Sequence, residues 1–94
     1  MGDELLAIAV WRIIPAVSLC QSLILAVQTG HRRRGHARKL KQIEIDAARR
    51  ASCRAVISKV HWDNTPMLAL NTSLGANVER IGGDRDYAHC IIAL

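Results

Sequence analysis

The sequence predicts one small mixed α/β (α+β) domain, in which strand, helix, strand, helix and hairpin follow one another over residues 22–94. Three observations carry this prediction. Residues 22–28 (SLILAVQ) form a continuous apolar run, which is typical of a strand covered on both faces. Residues 36–51 repeat apolar side chains at helical spacing, and residues 54–60 are a β-branched run of strand length. Strand, helix and strand in this order make a βαβ-like unit, and with the later hairpin we expect a mixed sheet.

Residues 1–21 are an apolar segment that we separate from the domain predicted at 22–94. Arg12 and Pro15 interrupt the apolar stretch, and an arginine at the centre of a bilayer costs about 2.5–3.5 kcal/mol. A membrane partner is therefore not expected. We expect a short strand or helix at 4–14 and a break at Pro15. A small membrane-anchored basic protein remains the alternative on this segment.

The second half of the chain carries clear start and stop signals. Thr65 before Pro66 predicts a helix with Thr65 as its N-cap, and Gly75 predicts its end. Gly82 and Gly83 predict the turn of a hairpin. In the preceding helix, the predicted apolar stripe is Ala37, Leu40, Ile43, Ala47, Ala48 and Ala51, and the predicted solvated positions are Arg38, Lys39, Lys41, Gln42, Asp46, Arg49 and Arg50.

Composition restricts the class of function. The formal net charge is +5, and residues 31–54 hold nine Lys and Arg side chains against Glu44 and Asp46, so an anionic ligand is favoured. Aromatic residues are only 3%, which argues against a stacking platform for nucleic acid, although a non-enzymatic nucleic-acid binder stays an alternative. Cys20, Cys53 and Cys90 form no CxxC, so we expect no metal site and three free thiols in a reducing, cytoplasmic compartment.

The segment between the apolar strand and the first long helix predicts a phosphate site. It reads Gly30-His31-Arg32-Arg33-Arg34-Gly35 and leads into a helix N-terminus, whose N–H groups and dipole attract anions. Gly30 and Gly35 have Walker A spacing, but His36-Ala37 follow in place of Lys and Ser or Thr. A nucleotide triphosphate loop is therefore excluded.

A different pattern matches. Arg32-x-x-Gly35-x-Ala37 has the form [Q/R]-x-x-G-x-[G/A], and the later string N-x-P-M-L-A-L-N-x-x-L-G runs from Asn64 to Gly75. In this order and at this distance, the two motifs resemble the GNAT superfamily of acetyl-CoA-dependent N-acetyltransferases, in particular a mycothiol-synthase-like branch. The resemblance covers about residues 22–94 and does not extend into residues 1–21.

The resemblance implies a cofactor, acetyl-CoA, and a place for each part of it. The fourth and fifth strands of the family's sheet splay apart, and the pantetheine arm inserts between them. A backbone N–H near Val27 would polarise the thioester carbonyl. The implied cofactor-binding residues are Leu25, Ala26 and Val27 for pantetheine, Arg32, Arg33, Arg34, Gly35, His36 and Ala37 for the diphosphate, and Asn64 and Asn71 for the arm.

The reaction implied is transfer of an acyl group from CoA to a primary amine of a small molecule or peptide, with no nucleic-acid partner. Asn71 stands where the family has a Tyr proton donor, and His61, Asp63 and Glu79 are the candidate bases, so the catalytic residues stay unassigned. A complete family fold places three strands and two helices before the strand at 22–28. We therefore expect a truncated, cofactor-binding half, as a homodimer or paired with a complementary half, and its activity stays open.

Overall fold

The computed structural model describes residues 7–27 and 35–94, which form a five-stranded mixed sheet with two helices. The strands are β1 (Ala7–Ile14), β2 (Leu19–Val27), β3 (Ala55–His61), β4 (Asn77–Glu79) and β5 (Tyr87–Ala93), and the helices are α1 (His36–Arg50) and α2 (Thr65–Ser73). The strand order is β1-β2-β3-β5-β4. Only the β2–β3 pair is parallel among these strands, and the predicted α+β class is confirmed.

Residues 7–27 form an antiparallel hairpin at one edge of this sheet. A strand or a helix is expected at 4–14, and the described part of this range is the strand β1. The 3₁₀ turn Pro15–Val17 follows directly and begins at the expected break, Pro15. β2 begins at Leu19, earlier than the predicted start at residue 22, because its first residues pair with β3, a distant contact that no local signal reports. Over residues 7–27 and 35–94, neither helix has the length and apolarity that crossing a membrane demands.

Helix α1 packs on the sheet through a face that differs from the predicted stripe. Ile43, a predicted core residue, is 52% exposed, whereas Lys41, a predicted solvated residue, is 1% exposed. The buried residues of α1 are Lys41, Glu44, Ile45 and Ala48, which recur at three- and four-residue spacing. The prediction was wrong here because it counted charged side chains as solvent-facing. Burial of the oppositely charged Lys41 and Glu44 together rotates the helix about its axis relative to the predicted orientation.

Helix α2 and the final hairpin follow the predicted order with one corrected residue. The N-cap of α2 is Asn64 and not Thr65, because the Asn64 side-chain oxygen accepts a hydrogen bond from the Met67 N–H at 3.3 Å. Gly75 ends the helix with φ +91°, as predicted. Gly83, also at φ +91°, lies in the turn that joins β4 to β5.

The core lies between α1 and the α1-facing side of the sheet. It is small and aliphatic, as a composition with few aromatic residues requires. Its buried members are Cys20, Ile45, Ala48, Cys53, Val56 and Ile92, with Trp11, Ile13, Leu74, Ala76 and Leu94 packed against them. Since Trp11 and Ile13 belong to β1, and Cys20 to β2, the segment before residue 22 contributes to the same core as the rest of the chain.

Candidate functional site

The parallel strands β2 and β3 pair for only a short distance and then separate. The register consists of Leu19 with Ala55, Cys20 with Val56, and Gln21 with Ile57, and it stops there although β2 continues to Val27 and β3 to His61. The two strands therefore diverge from a point that we call the fork, between the last pair and the next residues, Ser22 and Ser58. The splay that the resemblance implies is present at this position.

A β-bulge in β2 lies directly beyond the fork. Val10 of β1 is opposite Ile24, while the adjacent Trp11 is opposite Ser22, so Leu23 is an extra residue without a partner in β1 or β3. Such a bulge bends its strand and leaves the extra residue outside the ladder. The bulge and the end of parallel pairing thus coincide, and together they turn β2 away from β3.

An outer cavity of about 860 Å³ opens where β2 ends and α1 begins. It brings together most of the residues that the resemblance assigns to the cofactor. These are Leu25, Ala26 and Val27 of β2, Gly35, His36 and Ala37 at the start of α1, and Asn64 before α2. The remaining predicted diphosphate residues, Arg32, Arg33 and Arg34, lie outside the described residues.

The start of α1 suits an anion in this cavity. Gly35 is the N-cap with φ +81°, and a Cβ there would meet no atom within 4 Å, so the space beside its backbone is open. The Lys39 N–H donates to the Gly35 carbonyl at 3.0 Å and forms the first turn, in which there is no acidic side chain. The helix dipole therefore places uncompensated positive potential at this end of the cavity.

An inner cavity of about 330 Å³ lies between the diverging strands at the fork. Leu25, His61, Asn64 and Met67 line both cavities, so the two form one cleft that runs from the α1 N-terminus to the fork. The inner cavity is polar on one side, where it is lined by Ser22, Lys41, Ser58 and Asn71. Asn71 is thus placed at the inner end of the cleft, and Asn64 where the two cavities meet.

The two asparagines are held differently. Asn64 uses one lone pair of its side-chain oxygen to cap α2, and its NH₂ group supplies two further donors. Asn71 is 1% exposed and donates from Nδ2 to the Met67 carbonyl at 2.9 Å, while its Oδ1 has no hydrogen-bond partner. A buried amide oxygen without a partner costs about 1–3 kcal/mol. Asn71 therefore offers an unused acceptor at the inner cavity.

Sequence reasoning missed a buried ion pair at the fork. The Lys41 ammonium lies 3.3 Å from Glu44 Oε1, and the Ser22 hydroxyl donates to Glu44 Oε2 at 3.1 Å. Lys41 lines the inner cavity, while Glu44 is fully buried behind it. The sequence signal was the Lys-x-x-Glu spacing, which places both side chains on one helix face, but nothing in it distinguishes a buried face from an exposed one.

The candidate bases do not converge. His61 lines both cavities and Asp63 the outer one, whereas Glu79 is exposed on β4 and lines neither. His61 Nδ1 accepts a hydrogen bond from the Asp63 N–H at 3.1 Å, which places the proton of a neutral ring on Nε2. His61 therefore has no free basic nitrogen in this arrangement. Among the nearby thiols, burial raises the pKa of Cys20 to about 11, with a further rise from Glu44, so it is no nucleophile.

Comparison with solved structures identifies the architecture. A Bacillus subtilis acetyltransferase in complex with CoA has a TM-score of 0.84 and 16% identity over 100% of this chain and 72% of that one. Arabidopsis thaliana NAA60 in complex with acetyl-CoA has a TM-score of 0.84 and 18% identity, over 99% of this chain and 68% of that one. The GNAT domain of S. lividans PAT has a TM-score of 0.83 and 20% identity, over 100% of this chain and 57% of that one. No family model and no curated protein matches the sequence.

The chain therefore has the fold of the GNAT acetyltransferases, as the sequence resemblance predicts. The likeness includes residues 7–21, where the sequence motifs gave none, because β1 and the start of β2 are part of the shared sheet. The two alternatives, a membrane-anchored basic protein and a non-enzymatic nucleic-acid binder, find no support in this fold.

Proposed function

We propose that this protein binds acetyl-CoA in the cleft between β2 and β3 and transfers the acetyl group to a primary amine. One observation carries the proposal: parallel strands that separate beyond Gln21 and Ile57, with the N-terminus of α1 at the open end of the gap. A gap of this kind presents unpaired strand backbone to an extended ligand and a positive helix end to its phosphates. CoA has both of these parts, an amide-containing arm and a diphosphate.

The geometry supports an orientation for the cofactor. The diphosphate would lie at Gly35 and Ala37, and Arg32, Arg33 and Arg34 would add charge-assisted donors there. The pantetheine arm would extend along Leu25, Ala26 and Val27 toward the fork. Because the gap closes at the fork, the thioester must lie at the inner end. We therefore propose the N–H of Leu23, the extra residue at the bulge, rather than an N–H near Val27, as the donor that polarises the thioester carbonyl.

The reaction would be direct attack by a neutral amine on the thioester carbon. The proton of the amine would leave through a water molecule, because none of the three candidate bases presents a free basic atom to the inner cavity. The acceptor would be a small molecule or a peptide amine. We further propose a cytoplasmic protein, since its three cysteines are buried and free, that acts as a homodimer or with a complementary half. Light scattering with size-exclusion chromatography tests the proposed homodimer.

Thermal unfolding with CoA tests the proposal. At a CoA concentration of 100 times Kd, binding adds about 2.7 kcal/mol, which raises Tm by about 11–22 °C in a domain of this size. In Gly35→Glu the new carboxylate would repel the diphosphate and remove this rise. Gly75→Glu is the matched control, because Gly75 has a similar φ of +91° and equally open surroundings but lines neither cavity.

The control separates ligand loss from backbone strain. Both variants should lose similar stability without ligand, and only Gly75→Glu should keep the CoA-induced rise. A folded wild-type sample with no Tm change at saturating CoA would overturn the proposal. Acetyl transfer is then measured as CoA thiol release from acetyl-CoA with a panel of small and peptide amines.

A further inference from the structure

The buried ion pair at the fork has no role in cofactor binding as described so far. Lys41 and Glu44 have side-chain exposures of 2% and 0%, and their charged atoms are 3.3 Å apart. Both Glu44 oxygens are engaged, one by Lys41 and the other by the Ser22 hydroxyl. Desolvating two charges costs several kcal/mol per ion, and an apolar pair of similar volume often serves stability as well. The pair therefore calls for a functional explanation.

The ammonium group has hydrogen-bonding capacity to spare. It carries three N–H donors, and within residues 7–27 and 35–94 its one acceptor is Glu44. Lys41 lines the inner cavity, as does Asn71 with its buried, unpartnered Oδ1. The residues that line this cavity therefore include a positive charge with unused donors and a neutral acceptor without a partner. A ligand group that satisfies both carries negative charge beside an N–H.

The sulfur end of CoA has this chemistry. Following the proposed function, the thioester lies at the fork, and attack by the amine breaks its C–S bond with the electron pair remaining on sulfur. The thiolate formed is negative, and the nearest amide of the pantetheine arm supplies an N–H. An alkylammonium is a weaker acid than an alkyl thiol, so an ammonium beside this sulfur stabilises the thiolate by charge rather than by giving up its proton.

We propose that Lys41 is a catalytic residue that stabilises the departing CoA thiolate, and that Glu44 and Ser22 hold its ammonium at the fork. Asn71 Oδ1 accepts the N–H of the pantetheine amide nearest the sulfur. The amine proton leaves through water, and the thiolate takes a proton from solvent after release, so the proton balance is closed. The proposal rests on the proposed function and supplies the group that Asn71, in the position of a Tyr, cannot provide.

The charged and titratable groups around Lys41 are consistent with this role. Glu44 is the one carboxylate within hydrogen-bonding distance among the described residues. Burial raises the pKa of the Cys20 and Cys90 thiols, and the smaller opposite effect of the Lys41 charge does not reverse this rise. On the opposite wall, Lys59, His61 and Tyr87 line the cavity. Among the described residues that line this cavity there is no Asp or Glu to compete with an incoming thiolate.

Titration of CoA bound to the protein tests the proposal without turnover. The ultraviolet absorbance of the thiolate is followed against pH, and the complex with desulfo-CoA is subtracted to remove the protein's own thiols. An opposite charge in contact lowers a thiol pKa by about 1–3 units, so we expect bound CoA to titrate at least one unit below free CoA. At a pH above the free thiol's pKa, wild type should then bind CoA at least about tenfold more tightly than desulfo-CoA.

The variants assign the effect to Lys41. Lys41→Met combined with Glu44→Gln removes both charges, keeps an acceptor for Ser22, and should abolish the shift while CoA still binds. Lys39→Met, at an exposed position of the same helix, should leave the shift unchanged. No binding of CoA by wild type would refute the proposed function itself. Binding with an unshifted thiol, or with the same shift in the double variant, would refute the role of Lys41 alone. If the double variant does not fold, an unshifted thiol in wild type, or equal binding of CoA and desulfo-CoA above the free thiol's pKa, still refutes the role of Lys41.

Discussion

Removing one charge of the buried Lys41–Glu44 pair should destabilise the protein strongly. At 3.3 Å and an effective dielectric constant of about 20, the pair attracts by about 5 kcal/mol, and breaking buried pairs costs about 3–5 kcal/mol. A chain of this length has a free energy of unfolding of about 5–14 kcal/mol. Glu44→Gln alone, which leaves the ammonium buried without a counter-charge, should therefore remove about a fifth or more of the total stability.

Urea unfolding measures this loss. With an m-value of about 1.5 kcal/mol/M, the midpoint should fall by about 2–3 M in Glu44→Gln and by a similar amount in Lys41→Met. The double variant should recover most of the loss, because neither charge is then left alone. Asp46→Asn is the matched control: Asp46 and Arg49 have the same i,i+3 spacing on α1 but are about 60% exposed, so it should cost less than about 0.5 kcal/mol.

The reasoning is refuted if Glu44→Gln costs no more than Asp46→Asn. It is also refuted if the double variant loses the sum of the two single losses, because the pair would then have no coupling energy.

Three further predictions concern other parts of the molecule. Asn64→Ala should cost about 1 kcal/mol in urea unfolding, because it removes the cap of α2, whereas Thr65→Ala should cost less. The hydrogen bond from His89 holds the pKa of Asp84 below its ordinary value. The unfolded chain then binds more protons, so this stability is present at neutral pH and lost as the pH falls through the lowered pKa. Asp84→Asn should therefore flatten the acid side of a Tm–pH curve, and an unchanged curve would contradict this. Since burial raises the pKa of Cys20 to about 11, its alkylation at pH 8 should require unfolding; rapid alkylation of folded protein, located by mass spectrometry, would contradict it.

The sequence predicts the order of the elements because each has strong local signals. Gly35 at positive φ opens α1, Gly75 closes α2, and Gly83 serves the last turn. The Asn64 error has a local cause as well: Asn and Thr are both good caps, and proline is tolerated at the second helical position as well as the first. These features depend on backbone geometry within a few residues, which the sequence specifies directly.

The features that define the inner cavity depend on distant partners. The start of β2 at Leu19 follows from pairing with β3, and the bulge at Leu23 follows from the register with β1. Burial of Lys41 requires that Glu44 lie beside it on α1 and that Ser22 approach Glu44 from β2. The outer cavity residues could be named from a motif because each belongs to a short stretch of sequence with its own local signals. The fork could not be predicted in this way. It results from the pairing of β2 with both β1 and β3, and the sequence of no single strand indicates that pairing.

The fork also has an energetic logic. Two strands that leave an apolar gap between them would gain stability by closing it, since burial of apolar surface contributes about 25 cal/mol per Å². Here the first residues beyond the last pair are Ser22 and Ser58, and a charged pair lies beside them. An ammonium with unused donors disfavours closure by apolar side chains, because these would leave its remaining N–H groups without an acceptor. The chain therefore keeps a polar, costly pair where an apolar one would be at least as stable, and the cleft remains open to a ligand with an anionic end.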